Sequence, residues 1–223
     1  DACQVEVYPG NCQGIFIENK TNKVSGLKNI TIQNCRIRRA DGGGGVDSGI
    51  HMDYIDNSFI INNTVVPGER RWAWGIEVRH SENNHFIGNN VSNTKAFGIM
   101  IISSSHNATI INNIANDNVN DGIRVNQGDY ANAINNSCDG NGIGIYFSQV
   151  DGGSIVNNNL TNNGVNQNGY GIGIVSHSDN NIITGNYVVG NDYGITLFEN
   201  LGTPVNNLIY NNIFNNSRLS NVI

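Results

Sequence analysis

The sequence has few charged residues, little proline and no long apolar stretch. Charged residues make up 13% of the 223 residues, and there are only 3 prolines. No segment approaches the roughly 18 apolar residues of a membrane span. The net charge of −6 argues against a nucleic-acid partner, since phosphate binding needs an excess of Lys and Arg. The four cysteines lack CxxC spacing, which disfavours zinc, while pairing of Cys3 with Cys12 stays open.

Glycine and asparagine are abundant instead, with β-branched residues at fixed intervals between them. Disordered chains of similar polarity lack such regular Ile and Val. The pattern Gly-Ile-x-aliphatic begins at eight glycines: Gly14, Gly49, Gly75, Gly98, Gly122, Gly142, Gly171 and Gly194. Short strands repeating at this spacing predict an all-β solenoid of about eight coils.

Each repeat supplies two aliphatic residues, spaced two apart, that we expect to face the interior. The first ladder is Ile50, Ile76, Ile99, Ile123, Ile143, Ile172 and Ile195, and the second is Met52, Val78, Ile101, Val125, Ile145, Ile174 and Leu197. Asparagines at the turns suit a left-handed backbone and can hydrogen-bond to neighbouring coils. We therefore predict one domain over residues 1–223. Because the first coil begins abruptly, we expect a longer native chain, with further domains or a partner covering the solenoid ends.

The repeat resembles the single-stranded right-handed parallel β-helix family over nearly the whole chain. That family includes NosD-like periplasmic proteins, polysaccharide lyases, uronan C5-epimerases and disaggregatases. Uronan epimerases carry a Gly-Phe-Asp-Pro-His step, and Gly49–Asp53 and Gly75–His80 are similar to it in frame. Glu77 stands at the acid position, Arg79 at the histidine position, and proline is absent. The resemblance implies the fold and an anionic-glycan site, but not one activity.

Ionisable residues concentrate in two of these repeats. The first predicted outward column reads Phe16, His51, Glu77, Met100, Arg124, Gly144, Gly173 and Thr196, and the second reads Glu18, Asp53, Arg79, Ile102, Asn126, Tyr146, Val175 and Phe198. Stacking places His51 opposite Glu77 and Asp53 opposite Arg79. With His80 these form the candidate catalytic group, although such pairs also occur as structural ladders of alternating charge.

Candidate substrate-binding residues lie around this group. Ten of the twelve Lys and Arg residues precede Ile101, as expected for an anionic ligand on an acidic protein. Arg71, Trp72 and Trp74 come from a loop entering the third coil, where exposed tryptophan would stack on sugar. The outward columns add Arg124, Asn126 and Tyr146.

These residues predict an extracellular or cell-surface enzyme acting on an acidic, uronate-containing polysaccharide. In lyase or C5-epimerase chemistry, arginine neutralises the uronate carboxylate and histidine removes the C5 proton. A hydrolase would use Asp53 and Glu77 as its carboxylate pair. A non-catalytic glycan-binding or structural surface solenoid, or a NosD-like accessory protein, would need no acid–base pair. The cofactor stays open: turn aspartates such as Asp129, Asp151 and Asp179 could hold calcium, but no dense motif recurs, and no metal ligands are predicted.

Overall fold

The protein is a parallel β-solenoid built from short strands. The computed structural model describes residues 3–7, 14–19, 27–39, 48–66, 72–164, 169–216 and 220–222. These residues form strands, turns and bends without helix, so none of them belongs to a helix able to cross a membrane. Each strand pairs in parallel with its equivalent in the next coil. The predicted all-β solenoid of about eight coils is confirmed.

Three faces run along the rod. The face that carries the site, called the long sheet below, contains nine strands: Ile15–Glu18, Ser48–Asp53, Trp74–Arg79, Phe97–Ile102, Asp121–Asn126, Ile143–Ser148, Tyr170–Val175, Tyr193–Phe198 and Ser220–Val222. The second sheet contains eight: Thr31–Gln33, Phe59–Ile61, His85–Ile87, Thr109–Ile111, Asn132–Ile134, Ser154–Val156, Ile182–Thr184 and Leu208–Tyr210.

The third face consists of two groups of strands joined by single-residue bridges. The first group is Cys3–Val7, Cys35–Arg39 and Thr64–Val66, and the second is Ser137–Asp139, Asn159–Thr161, Tyr187–Val189 and Ile213–Asn215. Bridges through Asn90 and Ile114 connect the two groups. A separate short pair joins Leu27–Lys28 to Ile55–Asp56.

The core is a set of aliphatic stacks running through all the coils. Ile50, Ile76, Ile99 and Ile123 lie in register and are completely buried. Burying such side chains stabilises each by about 1.5–3 kcal/mol. Because each coil covers the apolar face of the next, the core is continuous along the rod.

The register of one coil differs from the sequence prediction. Ile123 pairs with Ile145 rather than with Ile143, and Val125 pairs with Phe147, which is completely buried. The sequence Gly-Ile-Gly-Ile can align with the repeat in two phases, because either Gly-Ile step can match the Gly-Ile of the neighbouring coils. The second phase places Gly144 where backbones approach closely: a Cβ on Gly122 would lie 2.8 Å from the Gly144 carbonyl oxygen. The prediction that Ile143 and Ile145 occupy the two ladders was therefore wrong.

Asparagine has two separate roles at the turns. One set takes positive φ, as in Asn62, Asn112 and Asn135. The residue after each of these is buried and bonds to its equivalent in the next coil, forming the stack Asn63, Asn89, Asn113, Asn136, Asn158, Asn186 and Asn212. Each Oδ1 after the first accepts both the backbone N–H and the side-chain N–H of the preceding asparagine, at 2.8–3.0 Å. The expected hydrogen bonding between coils is confirmed.

Candidate active site

The centre of the candidate site is a carboxylate that three side chains hold on the long sheet. Glu77 is almost completely buried, with 1% of its side chain exposed. Its Oε2 accepts hydrogen bonds from Ser48 Oγ at 2.7 Å and from His51 Nδ1 at 2.9 Å. Its Oε1 accepts from Arg79 Nε at 2.7 Å. The register His51–Glu77 was predicted from the repeat, and both the register and the contact are present.

The surroundings of Glu77 keep it ionised. Burial by itself raises the pKa of the Glu77 carboxyl, but the hydrogen bonds from His51, Ser48 and Arg79, with the arginine charge, outweigh this and lower the pKa. A carboxylate has no proton to donate, so His51 donates through Nδ1. When His51 is neutral, its Nε2 therefore carries a lone pair.

His51 is held from a second direction by an aromatic ring. Phe16 from the preceding coil stacks on the imidazole, with ring centroids 5.1 Å apart and 16° between the planes. The phenyl ring and the Glu77 hydrogen bond together fix the orientation of the imidazole. His51 itself is buried, whereas Phe16 is exposed.

A second histidine–carboxylate pair lies at the end of the same strands. His80 Nδ1 is 2.8 Å from Asp53 Oδ1, and the His80 ring stacks on Tyr54 at 4.6 Å. The predicted register of Asp53 with Arg79 is confirmed, but the two side chains take other partners: Arg79 bonds to Glu77 and Asp53 bonds to His80. The reason is that His80 takes a positive φ of 45° at the strand end, a turn in which its side chain meets Asp53.

Arg124 lies two coils beyond Glu77 along the long sheet. Its Nε donates to Asp121 Oδ2 at 2.5 Å, and its guanidinium carbon lies 4.7 Å from the Phe97 ring centroid and 4.3 Å from that of Tyr146. Asp121 is buried, which raises its pKa although Arg124 opposes the shift. The prediction that Tyr146 follows Asn126 in one column was wrong, because Tyr146 pairs with Arg124 and Asn126 pairs with Ser148.

The tryptophans differ in exposure. Trp72 is 1% exposed and donates its indole N–H to the Val66 carbonyl at 3.2 Å, so it cannot offer a sugar-stacking surface. That part of the prediction was wrong, since an indole gains more from burial than from exposure at this strand entry. Trp74 is half-buried on the long sheet, in register with Ser48 and Phe97. Arg71 lies outside the described residues.

Sequence reasoning missed Ser48 and Asp121. Each comes directly before the glycine of a repeat, where strand alternation would turn its side chain inward. Yet their side chains bond to Glu77 and Arg124, which occupy the other alternating positions of these strands. Trp74 and Phe97 occupy the same position in their repeats, so the residue preceding each repeat glycine was the available signal.

The described part of the chain contains no group of three His, Cys, Asp or Glu side chains arranged to hold a metal ion. The turn aspartates considered for calcium stack along the rod. Oδ1 of Asp129 accepts the Asp151 N–H at 3.0 Å, and Oδ1 of Asp151 accepts the Asp179 N–H at 2.9 Å.

Comparison with known proteins identifies the family. The model of the right handed beta helix region matches residues 5–137 and 48–214. The chain belongs to this family. Comparison of the sequence with curated proteins gives no match.

Solved structures share the fold at low identity. The A-module of mannuronan C-5 epimerase AlgE6 from Azotobacter vinelandii has a TM-score of 0.57 and 15% identity, covering 100% of this chain and 78% of that one. An alginate lyase from Paenibacillus has a TM-score of 0.51 and 13% identity, covering 98% and 90%. PfbA, a surface adhesin of Streptococcus pneumoniae, has a TM-score of 0.54 and 13% identity, covering 92% and 61%. At these identities the likeness shows the fold alone.

Proposed function

We propose that this β-helix protein is an enzyme that removes the C5 proton of a uronate unit in an acidic polysaccharide. The product is then either an unsaturated chain end, by lyase chemistry, or the inverted sugar, by C5-epimerase chemistry. The observation that carries the proposal is the buried His51–Glu77 pair. Its carboxylate fixes the imidazole so that Nε2 is available as a base.

Removal of the C5 proton leaves negative charge on the substrate, and the same cluster of residues stabilises it. His51 Nε2 takes the C5 proton, and the electron pair left at C5 delocalises into the uronate carboxylate. Arg79 is the cation bonded to Glu77, with 38% of its side chain exposed, and it stabilises this charge. Glu77 then stabilises the imidazolium that forms.

The second histidine supplies the proton that completes either reaction. His80 has 41% of its side chain exposed and is oriented by Asp53. In elimination, the C4–O bond breaks as the C4–C5 double bond forms, and the leaving oxygen takes the His80 proton. In epimerisation, C5 takes that proton on the opposite face.

Hydrolysis through Asp53 and Glu77 is less well supported. A glycosidase needs one protonated carboxyl group as its general acid. The pKa of Glu77 is lowered, and Asp53 is hydrogen-bonded to His80. Glu77 therefore does not have the surroundings of a general acid, and one oxygen of Asp53 is occupied by His80.

The structural neighbours support this substrate class and an extracellular or cell-surface location. A mannuronan C-5 epimerase and an alginate lyase are among them, and another is a surface adhesin. A glycan-binding protein without catalysis is the competing outcome of the test below.

The test measures proton removal itself. The protein is incubated in heavy water with a panel of uronate polysaccharides, and NMR records deuterium at C5 while ultraviolet absorbance records unsaturated ends. We expect His51→Gln to lower either signal by a factor of about 10²–10⁴. Polysaccharide binding without exchange or unsaturation in the wild type would contradict the proposal.

A matched control comes from the second sheet. His85 also stacks on a phenylalanine, Phe59, with centroids 4.7 Å apart, but lies on another face of the rod. His85→Gln should therefore leave activity unchanged. Equal losses in the two variants would point to a general effect on folding.

A further inference from the structure

Arg124, on the Asp121–Asn126 strand, is held by two aromatic rings and one buried carboxylate. The Arg124 guanidinium lies between the rings of Phe97 and Tyr146, and among the described residues its one hydrogen-bond partner is Asp121, through Nε. Stacked arginine loses little further conformational freedom when it binds a planar anion. With 27% of its side chain exposed, it has N–H groups free of protein acceptors in the described structure.

Unpartnered polar atoms lie on the same sheet. Three buried side-chain polar atoms among the described residues have no hydrogen-bond partner: Trp74 Nε1, Asn126 Oδ1 and Thr196 Oγ1. All three belong to strands of the long sheet, and Asn126 follows Arg124 by two residues, so the two side chains leave the same face. Burying a polar atom without a partner is unfavourable, and a ligand group that hydrogen-bonds to it would remove this cost.

We propose that Arg124 and Asn126 form a second carboxylate subsite, which binds a uronate unit other than the one that reacts. Arg124 donates two N–H groups to the sugar carboxylate, and Asn126 Oδ1 accepts a hydrogen bond from a hydroxyl of the same chain. Phe97 and Tyr146 are positioning residues that hold the guanidinium flat. This inference rests on the proposed function for the substrate class.

The spacing along the rod sets the substrate length. The column runs from His51 through Glu77 and Met100 to Arg124, which is three coil steps. At about 4.8 Å per step, the two sites are roughly 14 Å apart. One sugar unit is about as long as one coil step, so the subsite engages a unit about three positions from the reacting one. The enzyme should therefore act on long chains and poorly on disaccharides.

The experiment measures affinity in the His51→Gln background, where substrate is not consumed. Titration calorimetry compares a uronate hexasaccharide with the same chain after reduction of its carboxyl groups. We expect Arg124→Gln to weaken binding of the uronate chain by at least about tenfold and to leave binding of the reduced chain unchanged. Unchanged affinity for the uronate chain in the Arg124→Gln variant would overturn the subsite. Tighter binding of a sulfated neutral chain than of the uronate chain would overturn it as well.

Two further variants separate binding from folding. Arg124→Gln leaves the buried Asp121 without its cation and should therefore destabilise the fold. Adding Asp121→Asn to Arg124→Gln removes the unpaired charge, so the double variant should recover stability but not binding. Arg36→Gln alters an exposed arginine on the third face and should change nothing. If Arg124→Gln binds the uronate chain normally and the His51-intact protein still catalyses exchange, the subsite alone is refuted. Arg124-dependent binding without exchange in the His51-intact protein would refute the catalytic proposal alone.

Discussion

At the scale of single residues, Glu77 organises the candidate site. Ser48, His51 and Arg79 donate to it from two adjacent strands, so one carboxylate fixes three side chains. Hydrogen bonds to an ionised acceptor are shorter and stronger than neutral ones. Catalysis and local stability should therefore depend on the same charge.

This dependence predicts how stability changes with pH. The pKa of Glu77 is lowered from the ordinary 4.5, so its contribution is present above that value and is lost as pH falls through the lower folded value. We expect Glu77→Gln to cost about 1–3 kcal/mol at neutral pH, and less in acid. Urea unfolding at several pH values measures the difference.

The control for this prediction is Glu82→Gln. Glu82 is exposed in the turn that follows the same strand. Its substitution should change the free energy of unfolding little at any pH. If the cost of Glu77→Gln stayed constant down to strongly acidic pH, the charge of Glu77 would not be what stabilises the cluster.

At the scale of structural elements, buried asparagine joins the coils. Asn136 accepts from the backbone and side chain of Asn113, and it donates to the Ile110 carbonyl and to Asn158. All of these groups lie away from water, where an unpaired N–H or C=O is costly. The stack therefore constrains the register of every coil it crosses.

The neighbouring asparagine provides a matched comparison. We expect Asn136→Ala to destabilise the protein by about 2–4 kcal/mol, because it leaves several buried polar groups unpaired. Asn135 is exposed and has a φ of 54°, so Asn135→Gly should be close to neutral. Thermal unfolding of both variants checks this, and equal destabilisation would show that the buried stack has no special role.

At the scale of the whole molecule, each strand of the long sheet pairs with its equivalents in the adjacent coils, and burial varies along the rod. Ile99, Ile123 and Ile145 are completely buried, whereas Leu197 and Ile209 are only partly buried. In such arrays, stability is close to a sum of coil and interface contributions. Local opening should therefore be easier where the core is thinner.

Hydrogen exchange measured by mass spectrometry tests this gradient. We expect backbone amides in residues 97–148 to exchange at least about tenfold more slowly than those in residues 193–216. The long sheet should remain protected around Arg124. Uniform protection along the rod would mean that the coils unfold as one cooperative unit.

The sequence by itself determined the solenoid, because alternating Ile and Val at a repeating interval can be buried only by stacking coils. It also placed His51 opposite Glu77, since register follows from aligned glycines. Tertiary structure decided which partner each charged side chain takes. From the sequence alone, Arg79 could bond to either Glu77 or Asp53. In the structure, the turn at His80 lets the histidine bond to Asp53, and Arg79 bonds to Glu77. Tertiary structure also decided which of the two Gly-Ile steps at Gly144 aligns with the repeat, and it decided the burial of Trp72. Both depend on how closely neighbouring coils approach, and the repeat pattern in the sequence does not contain that distance.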